Sequence, residues 1–542
     1  MKRTLLLIFA FQYCIGSFAQ SRSNRNSAFP DSVATHKVLL DSQSKIISWI
    51  QPQSTAYDRF LRDRWNFIFN AVPNSPGPPP RSNYPQYYFY CAYKDQQMIP
   101  DTWMNDVGEK IPNWFESARL FYQYTGDIRA MKIIQNMAMY AIDHGTSPAN
   151  FKWPDFPFTT TNAGDTLFRG FTNAKVNSLV LYEVQVDHAG DMGLTYYKLF
   201  LFTGIEKFKI AAIHVADALA RYAHEGTSKQ SVWPYRVITK NGKVTAPYGA
   251  NWMGCYTLFD ELSRAHVGNT NAYRQAMLKA KKFILQYPMQ TGYWTDGHTD
   301  TDIKSDTYKS NMSASNATLY MLDHPEFDSA FSSDIPALIQ WTEKNFINHC
   351  APGEPANQWG ANIVGEQDSF LVKMDYQTAR YAAECAGWYA LSGDSAYKEK
   401  AYRALNWVTY CSDSLGMAFE SPLSSGITSW WSDCYGEGPR MFYHALASVP
   451  EWAPAGTDHI LYSEGVLKNV SYKKMSVQYL PASNSGLEFI KLSFKPSLIT
   501  IGQIKLEEAS GLSKQGYLLK KLHDGDYSLT IRRSQPGPVS IR

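Results

Sequence analysis

Cysteine is scarce in this chain. Its 542 residues include 7, and no two stand as Cys-x-x-Cys, which excludes a zinc ribbon or a thioredoxin-like redox site. An excess of either charge is also lacking. The 52 Lys and Arg against 49 Asp and Glu leave a formal +3, which argues against nucleic acid as a partner, since that needs a clustered basic surface. Beyond the first residues no run of about eighteen uncharged apolar residues occurs, so no membrane span is expected. A Gly-x-Ser-x-Gly elbow is missing, which argues against a serine hydrolase.

The beginning of the chain reads as an address. Lys2 and Arg3 precede an apolar stretch from Leu5 to Phe11, and Ser17-Phe18-Ala19 suits a signal peptidase. Cys14 follows bulky Tyr13, a poor lipoprotein signal. The expected leader is 1–19, and the expected location is periplasmic or secreted. That compartment permits disulfides. Yet Cys255, Cys385 and Cys411, three of the six beyond the leader (with Cys91, Cys350 and Cys434), fall in helical text and suit small buried apolar positions.

A helical punctuation mark recurs along the rest of the chain. It reads Thr125-Gly126-Asp127, Thr203-Gly204-Ile205, Val267-Gly268-Asn269 and Ser392-Gly393-Asp394. Each copy closes one helical stretch and opens another. Glycine at such a place takes the left-handed conformation that ends a helix without a Cβ clash. The glycines are 78, 64 and 125 residues apart, and the last gap is close to twice the second. A copy with Asp323-His324-Pro325 in place of Thr-Gly fits the middle of that gap. A period near sixty residues is too long for the common solenoids and suits two helices and two loops. About six hairpins result, and the expected fold is a mainly α, (α/α)6 toroid over residues 20–455. These motifs are scaffold, not chemistry.

Val72 to Arg81 holds five prolines and must be a loop. After Trp452-Ala453-Pro454 the text alternates, at 470–472, 476–479, 489–493, 499–501 and 527–531, with Gly, Pro and Asn between. Residues 456–542 are therefore expected to form a small antiparallel, sandwich-like β domain.

Loops at one mouth of a helical ring carry its chemistry, because the helices form a packed wall. Five successive loops are read as combining an aromatic, a carboxylate and glycine. They are marked by Trp153 to Phe158 (with Asp187, His188 and Asp191 after), Trp233-Pro234-Tyr235-Arg236 (with Tyr248, Asn251 and Trp252), Tyr293 to Asp302, Trp359 to Tyr376, and Trp430 to Arg440. Pyranose rings stack on aromatic faces and need donors and acceptors for their hydroxyls. Glycosidic cleavage needs a proton donor and a second carboxylate. Asp187, Glu366 and Asp433, on three different hairpins, are the candidate catalytic carboxylates, with Asp191 in reserve. Trp233, Tyr235, Arg236, Tyr248, Asn251, His298, Trp359, Trp431, Tyr435 and Glu437 are the candidate substrate-binding residues, Glu437 doubling as a reserve acid. Each has a plainer reading: Asp300, Asp302 and Asp368 as helix caps, Trp233, Trp430 and Trp431 as plugs between hairpins. His298 among Asp296, Asp300 and Asp302 could ligate a metal, but the EF-hand spacing is absent. No metal and no cofactor is expected.

Trp-Pro-Tyr-Arg-Val at 233–237, Gly-Glu-Gln at 365–367, Thr-Ala-Arg-Tyr-Ala at 378–382, Trp-Ser-Asp-x-Tyr-Gly at 431–436 and Glu-Trp-Ala-Pro at 451–454 resemble a group of secreted bacterial proteins in the six-hairpin glycosidase-like superfamily. The resemblance implies an (α/α) toroid with a C-terminal β domain and no assigned reaction. Those proteins have Ser-His before Thr-Ala-Arg, where this chain has Asp375-Tyr376-Gln377.

Three functions fit the sequence. The first is a glycoside hydrolase acting on an oligo- or polysaccharide. The second is a polysaccharide lyase using Tyr235, Arg236, Tyr248, Asn251 and His298 on a uronate. The third is a glycan-binding protein without activity. Fold alone does not choose among them.

Overall fold

The structure, a computed structural model, describes residues 33–542 apart from 34, 95–96, 174–177, 296–308, 351–355, 369–370 and 423–427. The expected leader, His298 and its acidic neighbours Asp296, Asp300 and Asp302 lie outside the described residues.

Thirteen helices are described: α1 (Ala56–Asn70), α2 (Val107–Thr125), α3 (Arg129–His144), α4 (Val186–Thr203), α5 (Glu206–Tyr222), α6 (Met253–Arg264), α7 (Thr270–Gln286), the short α8 (Pro288–Thr291), α9 (Asn311–Asp323), α10 (Phe331–Thr342), α11 (Asp375–Ser392), α12 (Ser395–Thr409) and α13 (Gly438–Ser448). Helices α2, α4, α6, α9, α11 and α13 touch in that order, and α13 returns to touch α2. The inner ring is closed. Helices α3, α5, α7, α10 and α12 pack outside as their hairpin partners, and α1 backs α13.

The punctuation works through the hydroxyl as well as the glycine. Gly126, Gly204 and Gly393 end α2, α4 and α11 at φ of 77°, 74° and 75°. The preceding Thr125 donates to Phe121 O (2.6 Å) and accepts from Asp127 N (3.1 Å), and Thr203 and Ser392 repeat both bonds. Each hydroxyl adds a second bond to the carbonyl four residues back in the last turn and, by accepting from the second residue on, steers the chain into the next helix. The third copy differs. Helix α6 ends at Arg264, and Gly268 (φ 71°) lies in the turn before the Asn269 cap of α7. Thr291-Gly292, which the reading of the sequence overlooks, makes the same pair of bonds after α8. At the site without glycine, His324 closes α9 at φ −130° and Pro325 opens a single 3₁₀ turn.

Two antiparallel sheets follow the toroid. One orders His459–Ser463, Gly486–Leu492, Tyr527–Arg533 and Gly516–Lys521; the other orders Leu467–Lys473, Ser476–Pro481, Val539–Ile541, Ile499–Ile501 and Ile504–Lys505. Alternating burial along Ser476–Pro481 turns Val477 and Tyr479 inward, onto a second apolar core with Ile490, Leu529 and Ile541. The sheets dock on the end of the toroid where α2 finishes. Arg119 donates to Ser463 O (2.8 Å), Val470 N to Tyr122 Oη (3.1 Å), and His459 Nδ1 meets Tyr124 O (2.8 Å). Among the described residues no helix is long and apolar enough to cross a membrane. The six described cysteines are unpaired, and five are buried.

Candidate active site

All six inner helices start at the same end of the ring, and their first turns bring polar side chains into its centre. A hydrogen-bonded belt crosses from helix to helix. Asp187 on α4 accepts from Asn251 Nδ2 (3.2 Å), just before α6. Asn251 Oδ1 accepts from Asn316 Nδ2 on α9 (2.9 Å), and Asn316 Oδ1 from Arg380 on α11 (2.7 Å). Arg380 pairs with Glu437, which Arg440 on α13 also reaches at 3.2 Å. Glu109 on α2 closes the circle. One carboxylate oxygen each of Glu109, Asp433 and Glu437 lies within 4.8 Å of the others. On its other side, His188 of α4 meets Asp106 at 3.5 Å.

Local chain geometry sets these positions. Trp431–Glu437 is a π-helical turn running into α13, a rare widening that favours functional sites. It directs Asp433 and Glu437 toward Glu109. Arg64 braces it from outside, donating to Cys434 O and pairing with Asp375 (2.9 Å), both side chains at most 1% exposed. At α6, Gly254 makes room for the Asp191 carboxylate: a Cβ there would fall 1.5 Å from Asp191 Oδ1.

Crowded carboxylates in a buried ring compete for protons. Burial first, then the charges of Asp433 and Asp106, hold the Glu109 carboxyl well above the ordinary range. Burial, with Asp187 adding to it, pushes Asp191 up to about 7 against the opposing pull of His188, Arg440 and Arg380. Burial works against a charged His188, but Asp187, Asp106 and Glu109 overcome it and raise the imidazole well above its usual value. The ring therefore holds two like-charge couples, Glu109 with Asp433 and Asp191 with Asp187, each with a carboxyl that retains its proton unusually far up the pH scale. The three-carboxylate group also has the spacing of a cation site, although Arg380 and Arg440 already bring positive charge to Glu437.

A cavity of about 500 Å³ begins at this belt. Glu109, His188, Asp191, Asn251, Asn316, Arg380 and Arg440 line it, and it continues past Glu116, Lys198 and His444 toward the β domain. Burial, then Arg440 and Arg119, push His444 down to about 3, so its ring is neutral.

Of the residues singled out from sequence, Asp187, Asn251, Asp433 and Glu437 lie on the belt or in its carboxylate group, and the reserve Asp191 lines the cavity. Glu366 stands beside α11 and α9: its carboxylate accepts from Tyr376 Oη (3.4 Å) and its carbonyl from Asn311 N (2.8 Å). The aromatic candidates go elsewhere. Trp233 is wholly buried against Trp252 and Phe259, its indole donating to Leu219 O (2.8 Å). Trp431 is equally buried, packed on Tyr93 and Tyr435. Tyr435 Oη takes Ala418 N (2.9 Å) and pairs with Tyr93 Oη (3.1 Å). Tyr235 is 1% exposed and accepts from Gln185 (2.8 Å). Trp359 is buried. Arg236 lies on a short strand with its guanidinium over Tyr235, and Tyr248 stacks on Tyr293 (5.1 Å). Trp233 and Trp431 are both wholly buried and are not among the residues that line the cavity. Glu109, Asn316 and Arg380 are not among the site residues read from the sequence, and Arg440 enters that reading only as the end of the fifth loop. The signal they carry is a polar residue within the first turns of an inner helix, and Arg380 falls besides in the Thr-Ala-Arg-Tyr-Ala run at 378–382.

No family model matches the chain, and no curated protein matches its sequence. Solved structures do resemble it. The cellobiose 2-epimerase of Spirochaeta thermophila DSM 6192 superposes with a TM-score of 0.51 at 10% identity, over 74% of this chain and 99% of its own. That of Bacillus thermoamylovorans B4167 gives 0.51 at 10% identity, over 74% and 100%. A sugar epimerase from a ruminal bacterium gives 0.50 at 11%, over 72% and 98%. At such identities the likeness is one of fold. Closed inner ring, paired outer helices and these superpositions together make the fold an (α/α) toroid of helical hairpins with a C-terminal β domain.

Proposed function

We propose that the chain is a carbohydrate-active enzyme that hydrolyses glycosidic bonds, with its chemistry at the belt. The observation that carries this reading is the pair of proton-retaining carboxyls, Glu109 and Asp191, on neighbouring inner helices and lining one cavity. Glycosidic cleavage needs an acid that stays protonated near neutral pH and a carboxylate that acts as base or nucleophile. Environments that push such groups upward supply the first. Glu109 takes the role of proton donor to the leaving oxygen. Asp191, titrating near 7, activates water and then carries its proton away. Asp433 and Asp187 act through them by keeping each proton in place. Asn251, Asn316 and Arg380 fix the geometry and offer donors to sugar hydroxyls. Secretion, suggested by residues 1–19, belongs to this proposal.

A second reading is proton transfer at a sugar carbon without cleavage. A neutral His444 and a protonated His188 on the same cavity favour it, as an imidazole base and an imidazolium acid. The fold hosts different chemistries and does not decide. One assay separates the readings. Purified protein is incubated with a panel of plant and algal oligo- and polysaccharides. Hydrolysis releases reducing ends, epimerisation changes sugar identity at constant reducing ends, and β-elimination creates an ultraviolet-absorbing unsaturated product. New reducing ends without that absorbance are expected; a changed sugar with no cleavage sinks the hydrolase reading.

A further inference from the structure

The cavity does not stop at the belt. It runs along the inner helices to the opposite end of the ring, where the β domain sits, and Arg264, Asn484 and Ser485 at that end are exposed. Asn484 and Ser485 belong to the turn between the strands Ser476–Pro481 and Gly486–Leu492, one from each sheet. That turn reaches over the rear of the toroid, so the β domain supplies one wall of the chamber. Facing it, Tyr320 of α9 presents a ring held by Tyr256 (5.6 Å) and stacked on His324 (4.4 Å). Asp260 is aligned by Arg264 (2.7 Å), and Glu464 by Leu487 N (3.0 Å). An aromatic face flanked by fixed acceptors and by the Asn484 amide has the chemistry that holds a pyranose. A cavity of about 500 Å³ is of the order that accepts a drug-sized ligand, larger than a group at the belt alone would need.

The geometry points to a rear subsite, walled jointly by the toroid and the β domain, that binds the sugar units of the substrate beyond those at the belt. It rests on the reading of a glycan-processing enzyme and gives the β domain a part in selecting chain length. The neutral hydroxylated sugar is the ligand class, because the cations beyond the belt are matched by acids, Arg264 by Asp260 and Lys198 by Glu116, and no unbalanced cluster of cations awaits an anion among the described residues.

Two variants test it. Asn484→Trp fills the exposed rear opening from a surface turn, and Tyr320→Ala removes the platform; the first does not disturb the apolar core, so it keeps the test valid if the second unfolds. Wild type and variants are titrated calorimetrically, and assayed for turnover, with β-linked gluco-, manno- and xylo-oligosaccharides from disaccharide to pentasaccharide. The expected result is a loss of about tenfold in affinity and in kcat/KM for the longer members of the series that binds, the scale of one stacked and hydrogen-bonded contact, with the disaccharide almost unchanged. Equal weakening at every length, or none at any, overturns the rear subsite and leaves hydrolysis at the belt standing. If no oligosaccharide is cleaved, the hydrolase reading falls and the titrations alone decide: length-dependent weakening still supports the subsite, and absence of binding by every oligosaccharide removes it.

Discussion

Replacing Asp191 by Asn should stabilise the protein, and by an amount that depends on pH. The carboxyl sits in the space left by Gly254, and burial moves it from an ordinary 3.8 to about 7. Each pH unit of such displacement corresponds to about 1.36 kcal/mol, so ionising Asp191 costs the folded state about 4 kcal/mol more than the unfolded chain. The sign comes from proton linkage. Between the two values the folded state binds more protons than the unfolded state, so stability falls as pH rises through that window. Below about pH 4 both states are protonated and the neutral Asn side chain should match the acid. Above about pH 7 the full penalty applies to the wild type and not to the variant. The assay is the urea midpoint of both proteins from about pH 4 to about pH 8, with one probe for the toroid and one for the β domain, since a chain of two parts need not unfold in one step. A gap that opens with pH and levels off near 4 kcal/mol is expected for the toroid transition, together with loss of turnover, in keeping with the strain that functional sites carry. A variant that is less stable than wild type at the alkaline end would refute the reasoning, because Asp191 would then be a paired carboxylate in the folded state.

Further outcomes rest on the same geometry. Gly254→Ala drives a Cβ into the Asp191 carboxylate and should cost about 1–3 kcal/mol of stability along with most of the activity, read by thermal melting and turnover; full activity would mean that the carboxylate position is irrelevant. Arg64→Met leaves Asp375 buried without its partner and should lower stability by about 3–5 kcal/mol, whereas Arg64→Met with Asp375→Leu should recover much of that; the urea midpoints of the two decide. Trp233→Phe removes the indole bond to Leu219 O and should lower stability by about 1–3 kcal/mol while leaving KM for any substrate unchanged, and a KM that rises at constant stability would restore Trp233 as a sugar platform.

The toroid was legible in the sequence because its punctuation is local. A hydroxyl that bonds four residues back and a glycine in the left-handed region are properties of three adjacent residues, as Thr125-Gly126 and Thr203-Gly204 demonstrate. The same holds for alternation in strands such as Ser476–Pro481. The site was only half legible. Asp187, Asp191, Asp433, Glu437 and Asn251 stood out as polar residues near the starts of hairpins, whereas Glu109 did not. Trp233 and Trp431 lie in dry pockets between packed elements and not on the cavity, and local sequence carries no record of which side a Trp faces. Asn316 and Arg380 were not read as site residues for the opposite reason. Each is a single polar residue inside a helix, and they meet each other across 64 residues of sequence, as Asn251 meets Asp187 across another 64. Only closure of the ring brings the four into one belt.

The central claim is that the carboxyls of this belt transfer the protons of glycosidic cleavage. The most direct measurement is the release of reducing ends by wild type and by Glu109→Gln, on the most readily cleaved glycan of the panel, with calorimetric titration of the same glycan alongside. The account predicts a fall of about 10²–10⁴-fold in kcat with binding retained and with the alkaline limb of the pH profile altered. Turnover by Glu109→Gln at the wild-type rate would contradict it.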